Sequence, residues 1–251
     1  GRNRWTWQDG KSGSSRSFNR ERMEAVKAAA GNGVLTVTSV EKSRKTTMSP
    51  GLYDLTELQR DANQKFGFSA KETLNIMQRL YENHKVLTYP RTDSRFIGTD
   101  VVPTIKERLK ACAVGPYRKI AGALSMKPVK VNKSFVDDKK VSDHHAIIPT
   151  EQFVQLEHMT NEERKIYDLV VRRFFTVLYP PFEYEQTLMR GEAGGETFTA
   201  KGRIVKNQGW KEVYQQEDQE QDEEFQNLSD AEQGNHFHID RVDITQGKTK
   251  P

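Results

Sequence analysis

Apolar and polar residues change their period twice along this chain. Residues Val34-Leu35-Thr36-Val37-Thr38-Ser39-Val40 alternate as a half-buried strand does. Ahead of them, Asn19 is placed to cap a helix from Arg20 through Glu24-Ala25-Val26-Lys27-Ala28-Ala29-Ala30, and Gly31 to stop it. After the break at Ser49-Pro50-Gly51 the period turns helical and stays so to about Tyr179. Thr56 is placed to cap a helix through Leu58 and Ala62. Ser69 with Glu72 makes a capping box for residues 71–81, whose Leu74, Met77, Leu80 and Tyr81 share one core-facing stripe. Residues 101–111 and 161–178 read as further helices, the second opened by Thr160 and closed by Pro180-Pro181. Strands then return at residues 187–190, 196–203, 210–214 and 237–244, punctuated by Gly191, Gly194-Gly195, Gly202 and Gly209. The pattern predicts an α+β multidomain chain: a helical domain over residues 50–180, inserted into a β-rich domain made of residues 1–49 and 181–251.

Composition narrows the classes. The 251 residues are 35% hydrophobic, enough for packed cores. No apolar run approaches the roughly 18 residues that span a bilayer, and Gly1-Arg2-Asn3-Arg4-Trp5 lacks the apolar core of a signal peptide. A cytoplasmic protein with no membrane partner is expected. Cys112 is the only cysteine, which excludes an internal disulfide and a cysteine-based zinc site.

The net charge of +4 is unevenly spread. Residues 1–49 hold 10 Lys/Arg against 4 Asp/Glu, residues 50–180 hold 21 against 16, and residues 181–251 hold 8 against 15. The basic excess of the first two thirds suits a polyanionic partner. The run from Glu217 to Glu232, with eight acids and no base, reads as a solvated loop. Trp5, Trp7 and Phe18 lie amid Arg2, Arg4, Lys11, Arg16 and Arg20. That mixture fits base stacking by a single-strand binder, but two tryptophans beside strands fit burial in a β core better.

The chemistry concentrates in Leu87-Thr88-Tyr89-Pro90-Arg91-Thr92-Asp93-Ser94-Arg95. A phenol can attack phosphorus, and a guanidinium two residues on can hold charge on the phosphoryl oxygens in a bidentate geometry that lysine lacks. Tyr89 is the candidate nucleophile and Arg91 the candidate clamp. Pro90 biases Tyr89 toward an extended backbone. Asp93 has the wrong sign for a phosphate ligand; orienting a neighbouring cation and capping a turn are its two readings. Asp143-His144-His145 suggests a metal site, yet adjacent histidines on a strand point to opposite faces and rarely share an ion.

The Tyr89 segment resembles the active-site segment of type IA DNA topoisomerases. So do the stretches ahead of it, Leu52-Tyr53-Asp54-Leu55-Thr56-Glu57-Leu58-Gln59, Phe66-Gly67-Phe68-Ser69-Ala70-Lys71-Glu72-Thr73-Leu74 and Met77-Gln78-Arg79-Leu80-Tyr81-Glu82, and, downstream, Ser142-Asp143-His144-His145-Ala146-Ile147-Ile148-Pro149-Thr150, nearest the topoisomerase III branch. The resemblance implies the arch and gate of a toroid, with the catalytic tyrosine on the gate, and single-strand cleavage through a 5′-phosphotyrosine with strand passage and no ATP. It implies that His144 contacts DNA phosphate and makes Gln78 and Asp93 candidates for DNA contact; it gives His145 no role.

The same resemblance implies Mg²⁺, held by a Toprim domain with an Asp-x-Asp-x-Glu cluster. No such cluster occurs here, Asp218-Gln219-Glu220-Gln221-Asp222 being the nearest spacing. The expectation is an internal fragment of a larger bacterial, nucleoid-associated enzyme: monomeric, bound to single-stranded DNA and to the remaining domains of its own chain, and inactive alone. A tyrosine recombinase would need further basic catalytic residues in another order, and a non-catalytic single-strand binder would leave the Tyr89 segment unexplained.

Overall fold

The computed structural model describes residues 3–31, 33–214, 226–228, 230 and 232–247. The chain divides into two compact units, one of residues 1–46, 183–207 and 218–251, the other of residues 47–182 and 208–217.

The first unit is a sheet with one helix. Strands β1 (Thr6–Gln8), β2 (Val34–Thr47), β3 (Phe182–Ala193), β4 (Glu196–Asn207) and β5 (His236–His238) lie in the order β1-β4-β3-β2-β5. The pairs β1–β4, β3–β4 and β2–β5 are antiparallel. Helix α1 (Arg20–Ala30) begins where Asn19 accepts a hydrogen bond from the Arg22 amide and buries Val26 and Ala30. Its core joins Trp7, Leu35, Val37, Met189 and Phe198. Trp7 is buried, its indole N–H donating to Glu196 at 3.1 Å, while Trp5 is half-buried and Phe18 is 98% exposed. The tryptophans thus serve the sheet.

The β3–β4 hairpin turns on Gly194 and Gly195, both at positive φ (57° and 75°). A Cβ on Gly194 would fall 2.1 Å from the Ala29 carbonyl oxygen, so the helix approaches the turn only because that side chain is absent.

Three sequence expectations change in and around this sheet. Strand β2 runs on through the polar residues 41–47, where the exposed side chains carry no alternation of burial to reveal it. Residues 237–244 supply only the end of the three-residue β5. Residues Gly209–Tyr214 form a 3₁₀ helix, not a strand, and pack within the other unit: Val213 is buried there and its carbonyl accepts from Arg172 at 2.8 Å. The segment Glu217 to Glu232 lies largely outside the described residues, as does Arg2.

The second unit is helical. Its elements are α2 (Leu55–Phe66), α3 (Ala70–Glu82), a 3₁₀ turn at Val102–Thr104 running into α4 (Ile105–Ala111), α5 (Arg118–Met126) and α6 (Asn161–Val177). Asp54, not Thr56, caps α2, its carboxylate accepting from the Glu57 amide at 2.8 Å, and Gly67 ends that helix in the left-handed conformation. Asp54→Ala is expected to lower unfolding stability by about 1 kcal/mol, measured as a shift in urea midpoint at unchanged slope.

Both expected capping boxes form, Ser69 with Glu72 on α3 and Thr160 with Glu163 on α6. The buried stripe of α3 is Thr73, Ile76, Met77 and Leu80; Leu74 and Tyr81 stand at its edge, half-buried. A single core gathers Leu58, Met77, Leu87, Ile148, Phe174 and Phe175 among others.

Glu163 ties the two capped helices together. Its carboxylate receives the His84 Nε2 at 2.8 Å and lies 4.0 Å from Arg79 Nε. Burial alone would push its pKa up, but the Thr160 amide and His84 hold it below the usual carboxylate value. A depressed folded pKa stabilises above the unfolded value and loses that contribution as pH falls through the folded value. Glu163→Gln is therefore expected to lower stability at neutral pH and to flatten the acid limb of a stability–pH curve, as read from urea midpoints.

Candidate active site

Tyr89 lies on a segment stitched to residues 140–150. The Thr88 amide donates to the Ile148 carbonyl at 3.0 Å, the Ile148 amide donates to Thr88 Oγ1 at 3.0 Å, and Thr150 N reaches the Val86 carbonyl at 3.0 Å. Further along, Thr92 Oγ1 donates to the His144 carbonyl at 3.4 Å and Ser94 Oγ to the Lys140 carbonyl at 2.7 Å. The α2 end joins as well, since Leu55 N donates to the Thr92 carbonyl and Ile147 N to the Tyr53 carbonyl. Tyr53, the Tyr89 segment and the His144 segment, far apart in sequence, thereby meet.

Burial alternates from residue 90 on: Pro90, Thr92 and Ser94 are buried, Arg91 and Asp93 exposed, and Tyr89 half-buried. The anchored hydroxyls of Thr88, Thr92 and Ser94 fix the intervening side chains outward. The Tyr89 ring lies stacked on His144, centroids 4.1 Å apart and planes 28° off parallel, and meets Tyr81 edge-on at 5.6 Å. Tyr81, expected only in the core stripe, thus buttresses Tyr89. Its position, one turn on from Gln78 on the same helix, was the signal for that role.

His145, next in the chain, makes a different contact. Its Nδ1 sits 2.6 Å from the Ala146 carbonyl oxygen. Gln78 is half-buried, and its amide nitrogen donates to Glu82 at 2.7 Å. Among the described residues Arg91 and Asp93 form no ion pair with each other or with any neighbour, so no orienting contact from Asp93 to Arg91 is present. Also among the described residues, no three His, Cys, Asp or Glu side chains converge to hold a metal. Asp218 to Asp222 lie outside them.

Other tyrosines suit a nucleophile less well. Burial pushes the phenols of Tyr53, Tyr117 and Tyr167 well above their ordinary pKa. Tyr53 donates to Asp61 at 2.5 Å, and Tyr117 donates to Asp168 at 2.8 Å. Burial likewise raises the Cys112 thiol to about 12, which keeps it protonated and unreactive.

The arrangement at the site is a half-buried phenol stacked on an imidazole, with an exposed guanidinium two residues on in the chain. The family model described as DNA topoisomerase matches residues 3–251, and the chain belongs to the type IA DNA topoisomerase family. It is 56% identical over 249 residues to DNA topoisomerase 3 of Bacillus anthracis and 47% identical to that of Bacillus subtilis (strain 168). In each case the match covers 98% of this chain and 34% of the relative, so the chain spans about a third of the relatives' length. The solved full-length topoisomerase I of Thermotoga maritima shares its fold, with a TM-score of 0.66 at 22% identity over 92% of this chain and 36% of that one. No helix among the described residues is long and apolar enough to cross a membrane.

Proposed function

We propose that this chain is the tyrosine-bearing part of an ATP-independent enzyme that cuts one DNA strand, passes another through the break and reseals it, relaxing or decatenating DNA. The observation that carries the reading is the Tyr89 ring stacked on His144, with Arg91 two residues on exposed and, among the described residues, without an ion-pair partner. Tyr89 Oη attacks the scissile phosphorus. The new oxygen–phosphorus bond replaces the bond to the 3′ oxygen, which leaves and takes up a proton as the phenol gives one up. The product is a 5′-phosphotyrosine and a free 3′ hydroxyl; reversal reseals the strand without an external energy source, because the phosphoester bond is conserved.

Arg91 binds the phosphoryl oxygens, where charge builds in the transition state. His144 packs against Tyr89 and offers ring nitrogens to the phosphate. Asp93 and Gln78 flank the strand, Gln78 keeping a second amide hydrogen and its carbonyl oxygen besides the hydrogen it donates to Glu82. Single-stranded DNA and the remaining domains of the same protein are the partners.

The family resemblance also implies Mg²⁺. Around Tyr89 lie a phenol, the His144 imidazole and a guanidinium, with Asp93 and Asp143 exposed along the same segments; among the described residues no three His, Cys, Asp or Glu side chains converge, which does not fit a magnesium site. The ion would be held elsewhere in the longer protein. Without it, the chain alone is expected to bind single-stranded DNA and to cleave none.

Trapping on a suicide oligonucleotide, with the complete enzyme and Mg²⁺, tests the reading. An adduct through Tyr89 to a 5′ phosphate supports it. A 3′-phosphate adduct would point to recombinase chemistry, and no adduct to a binding module; either defeats it.

A further inference from the structure

Beside the Tyr89 segment runs a second feature that the cleavage chemistry does not use. Residues 127–140 carry five lysines, Lys127, Lys130, Lys133, Lys139 and Lys140, against two acids, Asp137 and Asp138. All five are exposed. Both acids are committed locally: Asp137 accepts from the Lys139 amide at 3.0 Å, and Asp138 accepts from the Thr99 amide at 2.7 Å and the Thr99 hydroxyl. Among the described residues Lys127, Lys130, Lys133 and Lys139 join no ion pair, and the Lys140 ammonium rests 4.5 Å above the Phe96 ring.

The segment is fastened to the stretch of chain that bears Tyr89 and Arg91. Ser94 Oγ donates to the Lys140 carbonyl at 2.7 Å, Asp137 N donates to the Ile97 carbonyl at 3.1 Å, and Ile97 N donates to the Phe135 carbonyl at 2.9 Å. A bridge between Ile97 and Val136 completes the attachment. Lys140 is thus one hydrogen bond from Ser94, which follows Arg91 by three residues, and the other lysines continue away from it along the chain. Lys127, Lys130 and Lys133 recur every third residue, and between them lie Pro128, which cannot extend a helix, and exposed Val131.

A run of exposed lysines with few competing acids fits a flexible polyanion with regularly spaced charges. Lysine suits that task as a mobile point charge, where a bidentate fork would fix one geometry. We infer that Lys127, Lys130, Lys133, Lys139 and Lys140 form a backbone-tracking path for the single DNA strand flanking the phosphate held at Tyr89. This rests on the reading of Tyr89 as the strand-cleaving residue, and it adds a phosphate-binding subsite outside that chemistry. The path holds the strand by charge, without reading its sequence.

The test is equilibrium binding, which needs no cleavage. Anisotropy titrations use the protein carrying Tyr89→Phe, with a labelled single-stranded oligonucleotide, across a salt series. Each phosphate contact contributes about 0.7 to the slope of log affinity against log salt for single strands. The triple substitution Lys127→Gln, Lys130→Gln, Lys133→Gln is expected to reduce that slope by about 2. The loss should appear with a long oligonucleotide and shrink with one just long enough to reach Tyr89, and arginine at all three positions should restore it. An unchanged slope with a protein of unchanged melting temperature overturns the path. So does a slope that falls equally for both lengths, which would place the contacts at the site itself, or a loss confined to duplex DNA. Failure to trap an adduct would sink the cleavage reading while leaving these slopes to decide the path.

Discussion

Tyr89→Phe, in the complete enzyme, is expected to bring the covalent protein–DNA adduct below detection while leaving affinity for single-stranded DNA close to that of the parent. Only the phenolic oxygen is removed. The ring, its stack on His144 and its edge contact with Tyr81 remain, and such aromatic pairs are worth about 0.5–1.5 kcal/mol each. Tyr81 packs against the Tyr89 ring in a T-shaped contact, and burial holds Tyr53, Tyr117 and Tyr167 in their protonated forms. Gel separation under denaturing conditions with an end-labelled oligonucleotide gives the readout. A denaturant-resistant 5′ adduct in the variant would defeat the assignment of the nucleophile, and a large loss of binding would show that the hydroxyl holds the strand.

Much of this unit could be read from local signals because its helices begin with them. Thr160–Glu163 and Ser69–Glu72 are short-range pairs whose chemistry is complete within four residues, so the sequence contains the whole cause. Thr56 failed as a cap because Asp54, two residues earlier, offers a charged acceptor to the Glu57 amide and starts the helix sooner. Helix α5 escaped notice for the opposite reason: Tyr117 gives no side-chain cap, and Gly122 interrupts the helical pattern. Residues 210–214, expected as a strand, have their state decided by tertiary partners: Arg172 donates to the Val213 carbonyl and the Trp210 indole N–H donates to the Thr47 carbonyl. The candidate site divides the same way. Tyr89 and Arg91 are neighbours in sequence and could be paired from it. That His144 stacks on Tyr89 follows from hydrogen bonds across some sixty residues, such as Ile148 to Thr88, and no periodicity reports those. Likewise the lysines of residues 127–140 look like an ordinary solvated stretch until Ser94 and Ile97 are seen to fasten them beside the tyrosine.

Arg91→Lys should separate charge from shape at the scissile phosphate. Arg91 is exposed and has no ion-pair partner among the described residues, so its replacement leaves no buried group unsatisfied and the fold should be unaffected. Lysine keeps the unit charge, so the salt dependence of DNA binding should change little. What is lost is the planar fork that grips two phosphoryl oxygens at once, in the geometry they adopt as charge develops. Removing one positioned donor of this kind typically costs about 10²–10³ in rate, and the expected result is a loss of that order in the single-turnover cleavage rate at saturating oligonucleotide. Arg91→Ala should show the same deficit in rate and, in addition, a salt slope lower by about 0.7, one phosphate contact on a single strand. The two variants separate the roles of shape and charge. If lysine cleaves at the parental rate, the guanidinium's shape is irrelevant and Arg91 acts only as a surface charge. If lysine and alanine lower the salt slope equally, the arginine's contribution is to binding the ground state, and the transition-state clamp must be sought in another residue.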